Sequence, residues 1–168
     1  MRFSELARMI FQLNALLEEK GDWLTDDLPI NSSRWRVLDV LDRAQQPMPA
    51  AHIAKDMGLT RQNVTRLTND LVKEGYLATS DNPYHQRAKL VSITEKGRVI
   101  FEEIKRRRDF ATDLLLAEYP PEKLEQTIES LQQLQSITDD IFKTRFDELA
   151  KNKQRYQSEE VPQHEGES

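Results

Sequence analysis

The sequence contains no cysteine and has only five glycines and three histidines among its 168 residues. The absence of cysteine excludes disulfides, thiolate metal sites and a cysteine redox switch. The histidines, His52, His85 and His164, do not have the spacing of a metal site. So few glycines leave no room for a glycine-rich phosphate-binding loop or a nucleophile elbow. We therefore expect no metal, no cofactor and no enzymatic activity.

Long apolar runs are also missing. No stretch approaches the roughly 18 to 20 consecutive apolar residues of a membrane span, and the N-terminal MRFSELARMIFQL lacks the apolar core of a signal peptide. We expect a cytoplasmic protein that does not contact a membrane. A length of 168 residues suits one domain with attached oligomerisation helices.

The negative net charge is unevenly distributed. The chain carries −5 overall, but residues 48–93 contain six basic and four acidic side chains, a net of +2, which leaves −7 for the remainder. Screening removes the influence of charge more than about 8 Å away at physiological salt. A locally positive surface on an acidic protein can therefore still bind phosphate.

Residues 49–93 have the pattern of a helix-turn-helix followed by a hairpin. A short helix over residues 50–57 is ended by Gly58, which favours a left-handed conformation. Thr60 stands at an N-cap position, so a second helix is predicted from residue 61 to about 74. Gly75 ends that helix.

One face of the second helix is apolar and the opposite face is polar. At about 100° per residue, Val64, Leu67 and Leu71 form a core stripe. The opposite face has no acid before Asp70 and carries side chains that read base edges: Arg for guanine, Asn or Gln for adenine, Thr for the thymine methyl group. The alternative, an ordinary solvated face, should mix both signs of charge. The predicted DNA-binding residues of this helix are Thr60, Arg61, Gln62, Asn63, Thr65, Arg66 and Asn69.

The hairpin that follows is typical of a wing. Strands are predicted at residues 76–79 and 89–93 with a turn at 81–83, and Met48 is placed to add a short strand to the sheet. An arginine on a hairpin tip can enter the minor groove. The predicted DNA-binding residues of the wing are His85, Gln86, Arg87 and Lys89.

Apolar stripes at both ends of the chain predict dimerisation. A helix over residues 1–20 carries one stripe, and a long helix from Pro120-Pro121 to about residue 154 carries the other. Packing on the chain's own core is the alternative, but a winged domain of about 60 residues has too little surface for both. The predicted dimerisation residues are Phe3, Leu6, Ile10, Leu13, Leu17, Leu131, Leu134, Ile141 and Phe142. Residues 21–30 are predicted as a connection, 34–44 and 94–116 as helices, and Arg106 to Arg108 as part of an ion-paired face.

Several segments resemble the MarR family of bacterial transcriptional regulators. They are RWRVL at 34–38, Ile53-Ala54, VTRL at 64–67, LVKEGY at 71–76, Asn82-Pro83 and LVSITEKG at 90–97. The resemblance implies a dimeric repressor or activator that binds a palindrome and often responds to a phenolic or other aromatic ligand. In the wing this chain has His85-Gln86-Arg87 where the family usually has Asp-Arg-Arg. The family's ligand crevice suggests Arg8, Trp23, Trp35 and His52 as ligand-binding candidates, because an aromatic acid needs aromatic walls and a cationic or hydrogen-bonding group.

We therefore expect a mainly α protein with a small β-hairpin wing, in which a winged helix-turn-helix domain is flanked by N- and C-terminal dimerisation helices. The predicted parts are a dimerisation helix (1–20), the DNA-binding domain (31–93), long helices that complete the dimer (94–157) and an acidic disordered tail (158–168). We expect the protein to be a transcriptional regulator that acts as a repressor. It should bind double-stranded DNA at an inverted repeat as a homodimer and be nucleoid-associated when bound. A small aromatic acid or phenolic effector should release it from the DNA. The competing hypothesis is a helical module whose winged fold contacts protein.

Overall fold

The computed structural model describes residues 2–84 and 88–159, and the side chains of these residues except 149 and 154–159. This part of the chain forms seven helices and three short strands. In chain order they are α1 (Arg2–Leu24), α2 (Ser32–Ala44), β1 (Met48–Pro49), α3 (Ala50–Met57), α4 (Arg61–Lys73), β2 (Leu77–Ser80), β3 (Leu90–Ile93), α5 (Glu95–Glu118), α6 (Pro121–Thr144) and α7 (Phe146–Glu159). The mainly helical fold with a small winged sheet is the one predicted.

The chain divides into two compact units, Met1–Asp113 and Leu114–Ser168. The first unit contains the winged helix-turn-helix. Its core is built from the apolar faces of α2, α3, α4 and the start of α5, with Val37, Leu38, Ile53, Val64 and Leu71 among its buried side chains. The predicted stripe of the second motif helix is therefore part of this core.

The sheet is antiparallel with the order β1-β3-β2. Leu77 pairs with Ile93 and Ser80 with Leu90, which forms the predicted hairpin. Met48 pairs with Val91, so the short extra strand predicted at Met48 is confirmed. The sheet buries Leu77 and Val91 against the helices.

Both glycines predicted to end the motif helices adopt left-handed backbone conformations. Gly58 has φ of 64° and Gly75 has φ of 80°. After α4, the Gly75 amide donates to the Val72 carbonyl and the Tyr76 amide donates to the Leu71 carbonyl. These two hydrogen bonds form the Schellman motif that commonly ends a helix. Tyr76 and Leu71 are both buried, which supplies the apolar contact that accompanies this kind of helix end.

The end of α1 differs from the prediction. Residues 21–24 were predicted to lie in a connection, but they form the last turn of α1. Gly21 is buried against the start of α2, where an added Cβ would lie 2.5 Å from the Ser32 hydroxyl oxygen. The glycine is thus needed for close packing rather than for a turn. Asp22 in the same turn accepts a hydrogen bond of 3.0 Å from the Ser32 amide, which fixes the N-terminus of α2 to α1.

The arginine triplet on α5 is ion-paired, as predicted, with Glu103 and Asp109 of the same helix and also with two acids that are distant in sequence. Arg107 donates two hydrogen bonds to the Asp27 carboxylate, at 2.5 and 2.9 Å, and one of 2.9 Å to the Leu24 carbonyl. Arg108 bonds Asp39 of α2 at 2.6 Å. These contacts attach α5 to α2 and to the segment that precedes it.

The second unit contains two helices where one was predicted. α6 ends at Thr144, and Arg145 leaves the helical conformation with φ of −117° and ψ of 22°. The charges fit a break at this point, since Lys143 lies in the last turn of α6 and Asp147 and Glu148 lie in the first turn of α7. The predicted tail, residues 158–168, lies outside the described residues except for its first two, which close α7.

No helix in the described part of the chain is both long enough and apolar enough to span a bilayer.

Candidate nucleic-acid interface

The N-terminus of α4 is held in place by Thr60. Its hydroxyl oxygen accepts a hydrogen bond of 3.2 Å from the Asn63 amide, which confirms the predicted cap. α3 ends with the Gly58 and Leu59 amides both bonded to the Ala54 carbonyl, so a very short turn joins the two helices. Val64 and Leu67 are buried against the rest of the domain, which forces the other side of α4 to face solvent.

The outward face of α4 is polar along its whole length. All seven residues predicted to contact DNA from this motif, from Thr60 to Asn69, are exposed. A shallow concave patch on this face, which we call the recognition patch, is lined by Arg61, Gln62, Thr65, Arg66, Asn69 and Asp70. The patch thus gathers five of the predicted residues and adds one acid at its C-terminal edge.

The arginines of the recognition patch differ from most other arginines of the chain in their surroundings. Among the residues that the structure describes, neither Arg61 nor Arg66 forms an ion pair. Guanidinium groups that have no carboxylate to bind inside the protein are available for phosphate or for a guanine edge.

Two acids of the winged domain are instead bound by arginines of α2. Arg43 contacts Asp56 on α3 at 2.8 Å, and this bond raises the pKa of Arg43 above its ordinary value. Arg34 contacts Glu74, the residue after α4, at 2.6 Å. Because these carboxylates are neutralised by neighbouring cations, the potential around α4 is more favourable to an anion than the residue counts suggest.

The wing is described only in part. Lys89 is exposed just before β3. His85, Gln86 and Arg87 lie outside the described residues, so their predicted contacts with the minor groove stay predictions. Tyr84, which the sequence analysis did not select, is 95% exposed. Its amide donates a hydrogen bond of 3.0 Å to the Asn82 side-chain oxygen, as is common when Asn begins a turn.

The four ligand-binding candidates lie on three helices of the first unit. Arg8 and Trp23 are exposed on α1, His52 is exposed on α3, and Trp35 is half-buried on α2. The Trp35 indole nitrogen is buried and has no hydrogen-bond partner among the described residues. The Arg108 guanidinium lies over the Trp35 ring, 6.0 Å from its centroid. Of the four, Trp35 alone combines a partly enclosed aromatic wall with an unused donor.

The predicted dimerisation stripe of α1 is open to solvent in the single chain. Phe3, Leu13 and Leu17 are 63%, 53% and 62% exposed, and Leu6 and Ile10 are about two-fifths exposed. On α6 the predicted residues Leu131, Ile141 and Phe142 are exposed and Leu134 is half-buried. Exposed apolar side chains at helical spacing are expected where another chain covers them.

Comparison with known proteins gives a consistent family assignment. The profile of the MarR family matches residues 27–88. An uncharacterised protein of Mycobacterium tuberculosis is 32% identical over 77% of this chain and 92% of its own length. The HTH-type transcriptional regulator PchR of Bacillus subtilis is 25% identical over 74% of this chain and 75% of its own.

Solved structures share the fold. The MepR–DNA complex of Staphylococcus aureus superposes with a TM-score of 0.68 at 23% identity, over 80% of this chain and 96% of MepR. The winged helix-turn-helix fold, the exposed polar face of α4 and the similarity to these relatives all indicate the same family. The chain belongs to the MarR family, and it is a DNA-binding transcriptional regulator rather than an enzyme.

Proposed function

We propose that this regulator is a repressor that binds an inverted-repeat operator as a homodimer, with the recognition patch in the major groove and the wing beside the minor groove. The observation that carries the proposal is the recognition patch, in which two arginines that form no ion pair with any described residue lie next to amide and hydroxyl side chains. Such a set can form bidentate bonds to guanine and adenine edges. A regulator of this kind works on the bacterial chromosome, in the cytoplasm, and is nucleoid-associated while it occupies its operator.

The first turn of α4 and its outward face suit different contacts with DNA. Arg61 and Asn63 lie in the first turn, near the positive end of the helix dipole, where a phosphate is bound most readily. Gln62, Thr65, Arg66 and Asn69 lie along the outward face, where they meet base edges. In this arrangement Arg61 fixes the position of the helix on the backbone, and the residues of the outward face supply the sequence preference.

The exposed apolar stripe of α1 and the exposed apolar residues of α6 support the proposed homodimer. Two recognition helices related by a two-fold axis reach successive major grooves about 34 Å apart, and their target is then an inverted repeat. We keep the domain boundaries predicted above as part of this proposal.

The proposed effector is a small aromatic acid or phenol. Trp35 supplies an aromatic surface and an unused donor, and Arg8, Trp23 and His52 supply further cationic and aromatic groups on adjoining helices. The effector favours a dimer whose recognition helices no longer match the groove spacing. To relieve repression about a hundredfold, it must prefer that state by roughly 2.7 kcal/mol. Calorimetric titration with a panel of aromatic acids tests this part, and absence of binding across the panel contradicts it.

The competing hypothesis, a winged fold that contacts protein, is not favoured. Protein-binding surfaces are enriched in exposed aromatic residues, whereas the outward face of α4 has none.

The decisive experiment is selection from a pool of random duplexes, followed by fluorescence anisotropy at several salt concentrations and sequencing of the bound fraction. The proposal expects enrichment of an inverted repeat and an affinity that falls steeply with salt. Enrichment of a single half-site without symmetry would contradict the dimeric arrangement. In transcription assays in vitro, the enriched site placed over a promoter should reduce transcript yield, and increased yield would show an activator.

A further inference from the structure

The carboxyl end of α4 is bonded to the first turn of α5, although the two lie about twenty residues apart in the sequence. Three successive carbonyl oxygens, those of Glu74, Gly75 and Tyr76, accept hydrogen bonds from that turn. The Thr94 hydroxyl donates to the Gly75 carbonyl at 2.7 Å and lies 3.0 Å from the Tyr76 carbonyl. The Lys96 ammonium donates to the Glu74 carbonyl at 2.7 Å. We call these residues, together with Gly97, the α4–α5 junction.

The backbones approach each other closely at the junction because residue 97 is glycine. A Cβ at position 97 would lie 2.1 Å from the Tyr76 carbonyl oxygen, which is far inside van der Waals contact. The Gly97 amide donates to the Thr94 hydroxyl at 3.1 Å, so Thr94 caps α5 while it binds the end of α4. The junction therefore fixes the two helix ends against each other.

Lys96 adds charge to this geometry. Its ammonium group lies 4.3 Å from the centroid of the Tyr76 ring, and Tyr76 is buried. The C-terminus of a helix carries roughly half a negative charge, so a cation at this point stabilises the end of α4. The side chain of Glu74 is bound on its other side by Arg34 of α2, at 2.6 Å. The end of α4 is thus tied to both α2 and α5.

The orientation of α4 is sensitive to this end. A helix of 13 residues is about 20 Å long at 1.5 Å per residue. A tilt of about 5° at the C-terminus therefore moves the N-terminal turn, with Arg61 and Gln62, by more than about 1.5 Å. A displacement of that size takes a hydrogen bond to a base edge beyond its normal range.

We propose that Lys96 is a positioning residue for DNA recognition. By binding the Glu74 carbonyl and the Tyr76 ring, it holds α4 at the angle that the base-reading side chains require, without contacting DNA itself. The inference rests on the proposed base readout by α4. Lys96 affects discrimination between sequences, whereas a lysine that binds phosphate affects all sequences alike.

The test uses the full chain and three variants. Lys96→Met removes the charge and keeps the chain length, Lys96→Arg restores a cationic donor, and Lys89→Met removes a wing lysine that is expected to bind phosphate. Each is titrated with the duplex that the wild-type chain enriches and with a shuffled duplex of the same composition, at several salt concentrations. A parallel hydrogen-exchange measurement follows the amides in the last turn of α4, with urea midpoints to establish that every variant is folded.

For Lys96→Met we expect roughly threefold to tenfold weaker binding of the enriched duplex. Binding of the shuffled duplex and the slope of log K against log salt should stay as in the wild type, and amide exchange in the last turn of α4 should be faster. Lys96→Arg should restore both the affinity for the enriched duplex and the slow amide exchange in the last turn of α4. Lys89→Met should weaken both duplexes and reduce the salt slope by about one.

Three results would overturn the inference: a salt slope reduced by about one in Lys96→Met, equal losses on both duplexes, or unchanged binding. The exchange measurement needs no DNA, so unchanged protection of α4 in Lys96→Met contradicts the inference by itself. Failure of the wild-type chain to enrich any duplex contradicts the proposed base readout instead.

Discussion

Replacing Gly97 with alanine should destabilise the winged domain, although alanine is the better helix former. Gly97 lies in the first turn of α5, and an added Cβ would lie 2.1 Å from the Tyr76 carbonyl oxygen and 3.0 Å from the Ile93 side chain. The nearest atom belongs to the backbone, so no side-chain rotation can relieve the contact. α5 and the end of α4 must separate instead.

The size of the effect follows from the distances. A carbon–oxygen contact needs about 3.3 Å, so the backbones must separate by more than about 1 Å. The bond from the Thr94 amide to the Tyr76 carbonyl, now 3.1 Å, and the contact from the Thr94 hydroxyl, now 3.0 Å, would then exceed hydrogen-bond range. Overpacking costs about 1–3 kcal/mol and two lost bonds about 1 kcal/mol each, against at most about 1 kcal/mol of helix propensity gained. We expect the free energy of unfolding to fall by about 2–4 kcal/mol.

Urea unfolding followed by tryptophan fluorescence measures this change, because Trp23 and Trp35 both lie in the unit that contains Gly97. Gly58→Ala is the matched control. Its φ is +64° and no atom lies within 4 Å of the added Cβ, so the substitution carries backbone strain of about 1 kcal/mol without a clash. The reasoning would be refuted if Gly97→Ala were as stable as the wild type, or if it lost less stability than Gly58→Ala.

Three further predictions concern the interface, the dimer and the ion pairs. Arg66→Ala should cost roughly 1–3 kcal/mol on the enriched duplex and relax one position of its sequence preference; unchanged preference in a repeated selection would remove Arg66 from base readout. Leu13→Glu should give a monomer in sedimentation velocity and abolish operator binding, whereas Gln12→Glu, which lies outside the apolar stripe of α1, should leave the dimer intact; a dimeric Leu13→Glu would place the interface elsewhere. Arg107 holds the pKa of Asp27 below its ordinary value of 3.8, so the pair stabilises the fold above that pH and loses its contribution as the pH falls through and below it. Asp27→Asn should therefore be less stable than the wild type at neutral pH, with the difference shrinking as the pH falls below about 4 in urea titrations; a difference independent of pH would contradict this.

The parts of the fold that the sequence predicts correctly are those set by local chemistry. Gly58 and Gly75 are the residues best able to adopt a left-handed conformation after a helix, and Thr60 is the only N-cap type directly before α4, so both motif helices have the predicted ends within one or two residues. The strand pairing was predictable from the turn at Asn82-Pro83. The outward face of α4 followed directly from the apolar period of its other side.

Contacts between residues that are distant in sequence account for the structural features that the sequence does not predict. Gly21 suggests a helix end until Ser32, which requires the space, is brought against it. Arg107 and Asp27 are 80 residues apart, so their pairing has no local signal. The segment LVSITEKG predicts a strand followed by the start of a helix. It does not predict the contacts of Thr94 and Lys96 with the end of α4, because their acceptors are carbonyl groups, which any residue type supplies.

The distribution of ion pairs explains how an acidic chain can present a DNA-binding surface. A count of charges along residues 48–93 treats Asp56 and Glu74 as repelling phosphate, but each is bound by an arginine of α2 that lies outside that segment. Arg61 and Arg66 have no such partner within the described residues, so their positive charge is available to bind phosphate or a base edge at the recognition patch. The two sets are linked through the fold, because the same α2 that neutralises the carboxylates also supports α4 from beneath through Val37 and Leu38. A substitution that frees Asp56 or Glu74 would therefore weaken phosphate attraction even though neither residue needs to touch DNA.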